Sequence, residues 1–143
     1  MLAKQEAREI MMNAERKIER LADILDRHRD DRMIVFTAHT DLVYELSERF
    51  LIPAITAETG TAERRRLLER FRDGRYSRVV AANVLDEGVD VPDANVGVVL
   101  SGSGSEREFT QRLGRILRPK EGAAGAGRAT LYEVVTAETA EER

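Results

Sequence analysis

The sequence predicts an α/β domain with a mostly parallel sheet flanked by helices. Short apolar runs recur along the chain, and in its first half they alternate with stretches of helical periodicity. Two of these runs, 78–82 and 96–100, lack the alternation of a half-exposed strand. Continuous apolar runs of this kind are typical of parallel strands that are covered by helices on both faces.

The composition sets bounds on the class of protein. With 143 residues, 42% of them hydrophobic and 34% charged, the chain fits one soluble globular domain. It contains no cysteine, which excludes disulfides and thiolate metal sites and fits a reducing cytoplasm. No apolar run reaches the length of a membrane span, and the first residues do not resemble a signal peptide. The formal net charge of -3 indicates that any nucleic-acid site must be a local patch.

The first half of the chain predicts three helices and two strands. Apolar residues at helical spacing predict a long amphipathic helix over 3–29. They are Ile10, Ala14, Ile18, Leu21 and Leu25. The run 33–37 predicts a buried strand, and a helix over about 41–50 and a short strand over 53–56 follow. Thr61 is the predicted N-cap of a third helix over 62–72, which ends near Gly74.

The second half predicts three more strands and one helix. Residues 78–82 and 96–100 are the third and fourth predicted strands, and 129–135 the last. A capping-box pattern at 105–108 predicts a helix that runs to about Leu117 and is closed by Pro119. In open parallel sheets ligands gather at the carboxyl ends of the strands. We therefore expect the loops 37–40, 82–92 and 101–105 to meet at one edge.

Residues 111–118, with the sequence QRLGRILR, are the most informative stretch of the chain. Gln111, Arg115 and Arg118 are spaced i, i+4, i+7, so on a helix their side chains share one face. Gly114 leaves room beside them for a close neighbour. Arginines in such a row suit the binding of a phosphoryl group during its transfer. The alternative is an exposed helix face with salt bridges.

Three segments resemble motifs of superfamily-two helicases. Residues 79–92 resemble motif V, residues 111–118 motif VI and residues 34–37 motif IV, in the order and spacing of the second RecA-like domain. Together with residues 93–95 and the Ser/Gly run 101–105, they most resemble the XPB family of DNA-repair helicases. The resemblance covers roughly residues 30 to 135.

The resemblance implies a three-layer RecA-like (P-loop NTPase-like) fold. On this basis we expect an N-terminal helix, 1–30, that leads into the domain. The helicase C-terminal RecA-like domain itself would span 31–136, and 137–143 would form a polar tail.

The resemblance also implies roles for single residues. Arg115 and Arg118 match the motif VI arginines that reach the γ-phosphate of ATP bound on the first motor domain, and Arg118 matches the arginine finger. Gln111 matches the residue that couples the nucleotide state to domain closure. Gly88 and Asp90 match the motif V pair, in which glycine allows close approach and the carboxylate faces the ribose.

Candidate nucleic-acid contacts follow from the same resemblance and from local charge. Many relatives have Thr or Ser at the position of Ala82, so that contact would pass to Asn83 or to backbone amides. Arg64 and Arg65 belong to a basic cluster on the predicted third helix; it is either a patch that tracks the backbone of the nucleic acid or a solvated face. Thr37, in motif IV, is a further candidate contact.

The chain lacks two motifs that a complete ATPase needs. It has no G-x-x-x-x-G-K-S/T and no Asp-Glu-x-His/Asp run, so the phosphate cradle and the magnesium carboxylates are absent from its sequence. The sequence therefore predicts the second motor domain of an ATP-dependent DNA helicase or translocase, inactive alone. ATP with Mg²⁺ would be bound mainly by the first motor domain of the same polypeptide.

The expected partners are DNA, at a junction of single strand and duplex, and a nuclease or other repair factor, but no membrane. The expected location is the cytoplasm, at the nucleoid in a prokaryote. Two alternatives remain: an RNA helicase or remodelling translocase domain, and a non-catalytic helicase-like binding module.

Other polar residues give weaker signals. Asp86 and Glu87 are an acid pair that we expect in a turn facing solvent or a partner domain. His28 and His39 have no carboxylate or second histidine at ligand spacing, so the sequence gives little support for a metal site.

Overall fold

The computed structural model describes residues 2–82, 94–101, 117 and 129–135. Helices and strands alternate in the first half of the chain as predicted, and every strand in the described ranges agrees with its prediction to within two residues. The elements are α1 (Leu2–Arg27), β1 (Met33–Thr37), α2 (Thr40–Phe50), β2 (Ala54–Ile55), α3 (Thr61–Arg72), β3 (Arg78–Ala82), β4 (Val96–Ser101) and β5 (Thr130–Val135). The helix predicted over 105–117 lies outside the described residues, apart from Leu117.

The described strands form one sheet in the order β2-β3-β1-β4-β5, and all neighbouring strands run parallel. The prediction of a mostly parallel sheet is confirmed. The earliest strand, β1, lies at its centre, between β3 and β4. Because the strands are parallel, all their carboxyl ends lie at the same edge of the sheet.

Both faces of the sheet are covered by helices. Successive residues of β1 point to opposite faces. Met33 and Val35 belong to a core shared with α1 and α2, whereas Ile34 and Phe36 belong to a core shared with α3. Leu117 belongs to the core on the α3 face. The domain thus has three layers, and this explains why β1 is buried at every position.

The C-terminal half of α1 is an integral part of the domain. Ile18, Leu21, Ile24 and Leu25 of this helix are buried in the first core. The end of the helix is held by Arg78, whose Nη2 donates to the carbonyl oxygens of Leu25 (2.7 Å) and His28 (3.4 Å). A guanidinium on these last carbonyls satisfies backbone acceptors and offsets the negative end of the helix dipole.

Asn95, immediately before β4, joins the amino ends of three strands. Its Oδ1 accepts from the backbone N–H of Arg32 at 2.8 Å, and its Nδ2 donates to Oδ1 of Asp31 at 3.0 Å. Its backbone carbonyl accepts from the N–H of Thr130, where β5 begins. The side chain is buried, so these hydrogen bonds satisfy polar groups that water does not reach.

The helix ends show one difference from the prediction. Thr61 is not an N-cap: α3 begins at Thr61 itself, and its N-cap is Gly60, with no side-chain cap hydrogen bond. The other threonine near this end, Thr59, bonds within the preceding turn, where its Oγ1 accepts from the N–H of Thr56 at 2.9 Å. Gly74 follows the end of α3 with a φ of 84°, a conformation that favours glycine. The predicted end of this helix near Gly74 is confirmed.

Candidate nucleotide and nucleic-acid edge of the sheet

The carboxyl edge of the sheet brings together the starts of three loops that the sequence predicts to meet. Thr37, the last residue of β1, pairs with Ala82 of β3 on one side and with Leu100 of β4 on the other. The chain leaves all three strands at the same edge. The end of β3, which is part of motif V, therefore lies next to the end of the central strand.

The structure describes three of the nine predicted site residues. Asn83, Gly88, Asp90, Gln111, Arg115 and Arg118 lie outside the described residues, and their roles stay predictions. Three predicted site residues are described: Thr37, Arg64 and Arg65.

The side chain of Thr37 is turned into the protein. The residue is 2% exposed, and its Oγ1 accepts from the backbone N–H of His39 at 3.4 Å. This hydroxyl therefore supports the short loop between β1 and α2. Any approach of a nucleic acid to this position would meet the loop backbone before the hydroxyl.

The turn between β2 and α3 is closed by hydrogen bonds between two threonines. Thr56 and Thr59 bond to each other twice: the N–H of Thr56 donates to Oγ1 of Thr59 at 2.9 Å, and the N–H of Thr59 donates to the carbonyl of Thr56 at 3.0 Å. Thr56 is fully buried. Since Ile55 pairs with Ala81, the turn begins beside the end of β3, which is part of motif V.

Arg64 and Arg65 differ in their surroundings. Arg64 is half-buried, and its Nη2 lies 3.5 Å from the carbonyl oxygen of Thr56, so its guanidinium is directed to the carboxyl edge. Arg65, the next residue on the helix, is exposed. The sequence predicted both as backbone contacts, but the structure places only Arg64 against the turn at this edge.

Sequence reasoning missed Tyr44. This residue of α2 bonds through its hydroxyl to Oγ1 of Thr56 at 2.8 Å and to Oε1 of Glu58 at 3.0 Å. The contact joins α2 to the β2–α3 turn across 12 and 14 positions of sequence. A lone tyrosine on an amphipathic helix gives no local signal of such a partner.

The prediction that His28 is isolated is wrong. Its Nδ1 lies 2.7 Å from Oδ2 of Asp31, and its Nε2 lies 2.7 Å from the hydroxyl of Tyr132 on β5. The carboxylate at i+3 was visible in the sequence, whereas the tyrosine, 104 positions away, was not. These residues lie at the amino edge of the sheet, opposite the candidate site, and tie the end of α1 to β5.

An ion pair at the end of α1 shifts two pKa values, also away from the candidate site. Nη2 of Arg29 donates to Oδ1 of Asp26 at 2.6 Å, and this hydrogen bond, with the attraction between the charges, lowers the pKa of Asp26 and raises that of Arg29. A lowered carboxyl pKa stabilises the fold at neutral pH, and the contribution is lost as the pH falls through it. Because both side chains are mostly exposed, we expect the contribution to be small.

Within the described residues, no helix is both long enough and apolar enough to cross a membrane.

Comparison with known proteins agrees with this architecture. Residues 16–120 match the family described as "Helicase conserved C-terminal domain". The chain is 46% identical over its whole length to "DNA 3'-5' translocase XPB2" of Sulfurisphaera tokodaii, of which it covers 31%. Over 83% of its length it is 41% identical to "DNA 3'-5' helicase XPB" of Mycobacterium tuberculosis, of which it covers 21%. The chain thus spans a third or less of these relatives.

A solved structure shows the same fold. The C-terminal domain of the DEAD-box protein Dbp5 superposes on 86% of the chain with a TM-score of 0.66 and 21% identity, and 71% of that domain is covered. The likeness confirms the predicted RecA-like fold. Since the family match extends over most of the chain, from the middle of α1 to beyond motif VI, the chain belongs to the family of helicase conserved C-terminal domains, close to the XPB helicases.

Proposed function

We propose that this chain is the second motor domain of an ATP-dependent DNA helicase or translocase of the XPB type. The observation that carries the proposal is the 46% identity, over the entire chain, to a protein named as a DNA 3'-5' translocase. Because the chain spans under a third of that relative, the proposal assigns it half of a motor. The first motor domain, on the same polypeptide, would supply the other half.

In this proposal the arginines of motif VI reach across the cleft to a nucleotide that is bound on the first motor domain of the same polypeptide. Arg115 and Arg118 neutralise the γ-phosphate, with Arg118 as the finger, and Gln111 transmits the nucleotide state to domain closure. Support comes from the one described residue of this motif: Leu117, directly before Arg118, is 8% exposed and belongs to the core on the α3 face. The buried Leu117 thus anchors this motif in the core of the domain.

The cofactor of the proposed motor is ATP with Mg²⁺, held mainly by the first domain. The side chains predicted at the site suit the groups of ATP that the first domain would leave exposed. Guanidinium groups suit phosphate oxygens, and the carboxylate of Asp90 can accept hydrogen bonds from ribose hydroxyls. Gly88 would allow the backbone to approach the sugar closely. When bound, the magnesium ion offsets the charge of the phosphates.

The nucleic-acid track would lie along the carboxyl edge, near the β2–α3 turn. Arg64 reaches this edge, and Arg65 extends the positive charge outward along α3. Asn83 and the loop after Thr37 complete the proposed contact, through backbone amides where no hydroxyl is available. Contacts of this kind bind phosphates, so they would weaken with salt and be blind to sequence.

The names of the relatives favour DNA as the substrate and movement in the 3'-to-5' direction. A junction of single strand and duplex would be the DNA structure on which the motor works, with a nuclease or repair factor as a protein partner. The proposed location is the cytoplasm, at the nucleoid of a prokaryote.

The test is DNA-stimulated ATPase activity of the polypeptide that carries both motor domains. With Arg118→Ala we expect turnover to fall by about 10³-fold while ATP binding is largely kept, because the finger stabilises transferring charge and not the bound ground state. The control is Arg75→Ala, an exposed arginine at the opposite end of the sheet, which should keep wild-type turnover.

Unchanged turnover in the Arg118 variant would contradict the motor proposal. So would a complete absence of ATPase activity in the wild-type polypeptide. The second result would favour the alternative, a helicase-shaped binding module that does not use ATP.

A further inference from the structure

We propose that Tyr44 is a positioning residue for the nucleic-acid contact of this domain: its hydroxyl locks the β2–α3 turn and thereby holds Arg64 at the carboxyl edge. The inference rests on the proposed function, because it assigns a task to a contact that only a DNA motor would need. It adds a residue on α2 that no motif of the sequence indicates.

The hydrogen bonds around Tyr44 form a closed ring. The backbone N–H of Glu58 donates to Oγ1 of Thr56 at 3.1 Å, Oγ1 of Thr56 lies 2.8 Å from the hydroxyl of Tyr44, and that hydroxyl lies 3.0 Å from Oε1 of Glu58. An ionised carboxylate can only accept. The Tyr44 hydroxyl therefore donates to Glu58 and accepts from the hydroxyl of Thr56. The donor and the acceptor of each hydrogen bond in the ring are thereby assigned.

The ring fixes the residue that anchors Arg64. Thr56 is fully buried, its hydroxyl is held by Tyr44, and its carbonyl oxygen faces Nη2 of Arg64 at 3.5 Å. The same carbonyl accepts from the N–H of Thr59. A movement of the turn would therefore move the acceptor against which the guanidinium rests. The path from Tyr44 to Arg64 has one intermediate residue, Thr56.

Positioning matters because a free arginine loses side-chain entropy when it binds a phosphate. That loss is larger for arginine than for most side chains, because its side chain is long and has many rotamers. An arginine that is already held in place by the turn loses less when it binds, so its phosphate contact is stronger. Tyr44 itself is 41% exposed and Glu58 is exposed. A ring so close to solvent adds little to the stability of the core, so its main effect is on the geometry of the turn.

The experiment measures DNA-stimulated ATPase of the two-domain polypeptide with Tyr44→Phe, which removes only the hydroxyl. We expect the KM for single-stranded DNA to rise about tenfold, which corresponds to about 1.4 kcal/mol. The kcat at saturating DNA and the KM for ATP should stay at the wild-type values. A purely structural defect would lower the active fraction, and hence kcat, without this separation.

The matched control is Tyr76→Phe. The hydroxyl of Tyr76 also contacts an arginine of α3, since Nη1 of Arg70 donates to it at 3.4 Å, but it does so at the other end of the helix. We expect this variant to keep the wild-type KM for DNA. An equal rise in both tyrosine variants would overturn the inference.

A double-mutant cycle with Arg64→Ala decides whether Tyr44 acts through Arg64. If it does, Tyr44→Phe raises the KM for DNA in the wild-type background and has almost no effect in the Arg64→Ala background. Full additivity, or no effect of Tyr44→Phe on this KM, overturns the inference. No effect of Arg64→Ala also overturns it, whereas the motor proposal is judged separately by the turnover of Arg118→Ala.

Discussion

Leu51 occupies a backbone conformation that suits glycine better than leucine. It is the C-cap of α2, with φ 55° and ψ 50°, and its side chain is 88% exposed. A left-handed conformation costs a residue with a Cβ about 1–2 kcal/mol. An exposed leucine gains no burial to offset that cost. Leu51 therefore weakens the connection between α2 and β2.

We predict that Leu51→Gly stabilises the domain. The free energy gained by relieving the left-handed strain is larger than the entropic cost of ordering a glycine on folding. The net gain in the free energy of unfolding should be about 0.5 kcal/mol. Thermal unfolding would show it as a rise in Tm of about 1–2 °C. Gly74→Ala is the reciprocal control: φ there is 84° and no atom lies within 4 Å of an added Cβ, so the loss of stability would be conformational only. A lower Tm for Leu51→Gly would contradict the prediction.

At the scale of elements, α1 shows how a helix that precedes the sheet becomes part of the core. Its stripe of apolar residues could equally have been a surface for another domain. The structure resolves the question for the second half of the helix, because Ile18, Leu21, Ile24 and Leu25 pack against β1 and α2. A contact between Nη1 of Arg49 and Oε1 of Glu15, at 3.1 Å, adds a link from α2.

We predict that Leu21→Ala destabilises the whole domain. Leu21 is completely buried, and its truncation leaves a cavity in the core, which costs about 2–5 kcal/mol. The free energy of unfolding from urea titration measures the loss. Glu19→Ala, an exposed change on the same helix, should stay within about 0.5 kcal/mol of the wild type. Equal stabilities for the two variants would mean that α1 is not part of the cooperative unit.

At the scale of the whole molecule, the chain has the architecture of a helicase C-terminal domain. Its parallel sheet directs the loops after β1, β3 and β4 to one edge. Its sequence contains neither of the motifs that hold the β-phosphate and magnesium. The proposed motor therefore needs another domain to hold most of the nucleotide.

We predict that this chain alone has no DNA-stimulated ATPase activity. Arginines that stabilise transferring charge have no effect when nothing nearby holds ATP. Phosphate release with and without single-stranded DNA measures the activity, and the polypeptide with both motor domains is the positive control. Turnover above background by the isolated chain, stimulated by DNA, would contradict the division of labour proposed here.

Much of the fold was predictable because the signals are local. Hydrophobic periodicity placed α1, α2 and α3 to within two residues at each end, and continuous apolar runs placed β1, β3 and β4. Gly74 marked the end of α3, since a positive φ restricts the choice of residue. The N-cap of α3 was predicted wrongly, because the sequence offers two threonines and a glycine within three positions and does not show where their hydroxyls bond.

The candidate site was predictable only in part. The motif residues were recognised by their types and spacing, which are sequence properties; the nucleotide-facing ones lie outside the described residues and their roles stay predictions. Arg64 and Arg65 were equivalent in the sequence, and the structure separated them, since only Arg64 rests on the carbonyl of Thr56. The contribution of Tyr44 was invisible, because its partners are 12 and 14 residues away.

The sequence by itself determined the fold class and the family, and it predicted the edge of the sheet at which the candidate site lies. The fold class follows from hydrophobic periodicity, which acts over a few residues, and the family follows from the resemblance of three short segments to helicase motifs. The tertiary structure alone decided that α1 belongs to the core, that His28 has two partners, and that a ring of hydrogen bonds holds the β2–α3 turn. The physical reason is that a contact between distant residues depends on how the elements pack, and packing is set by the whole chain.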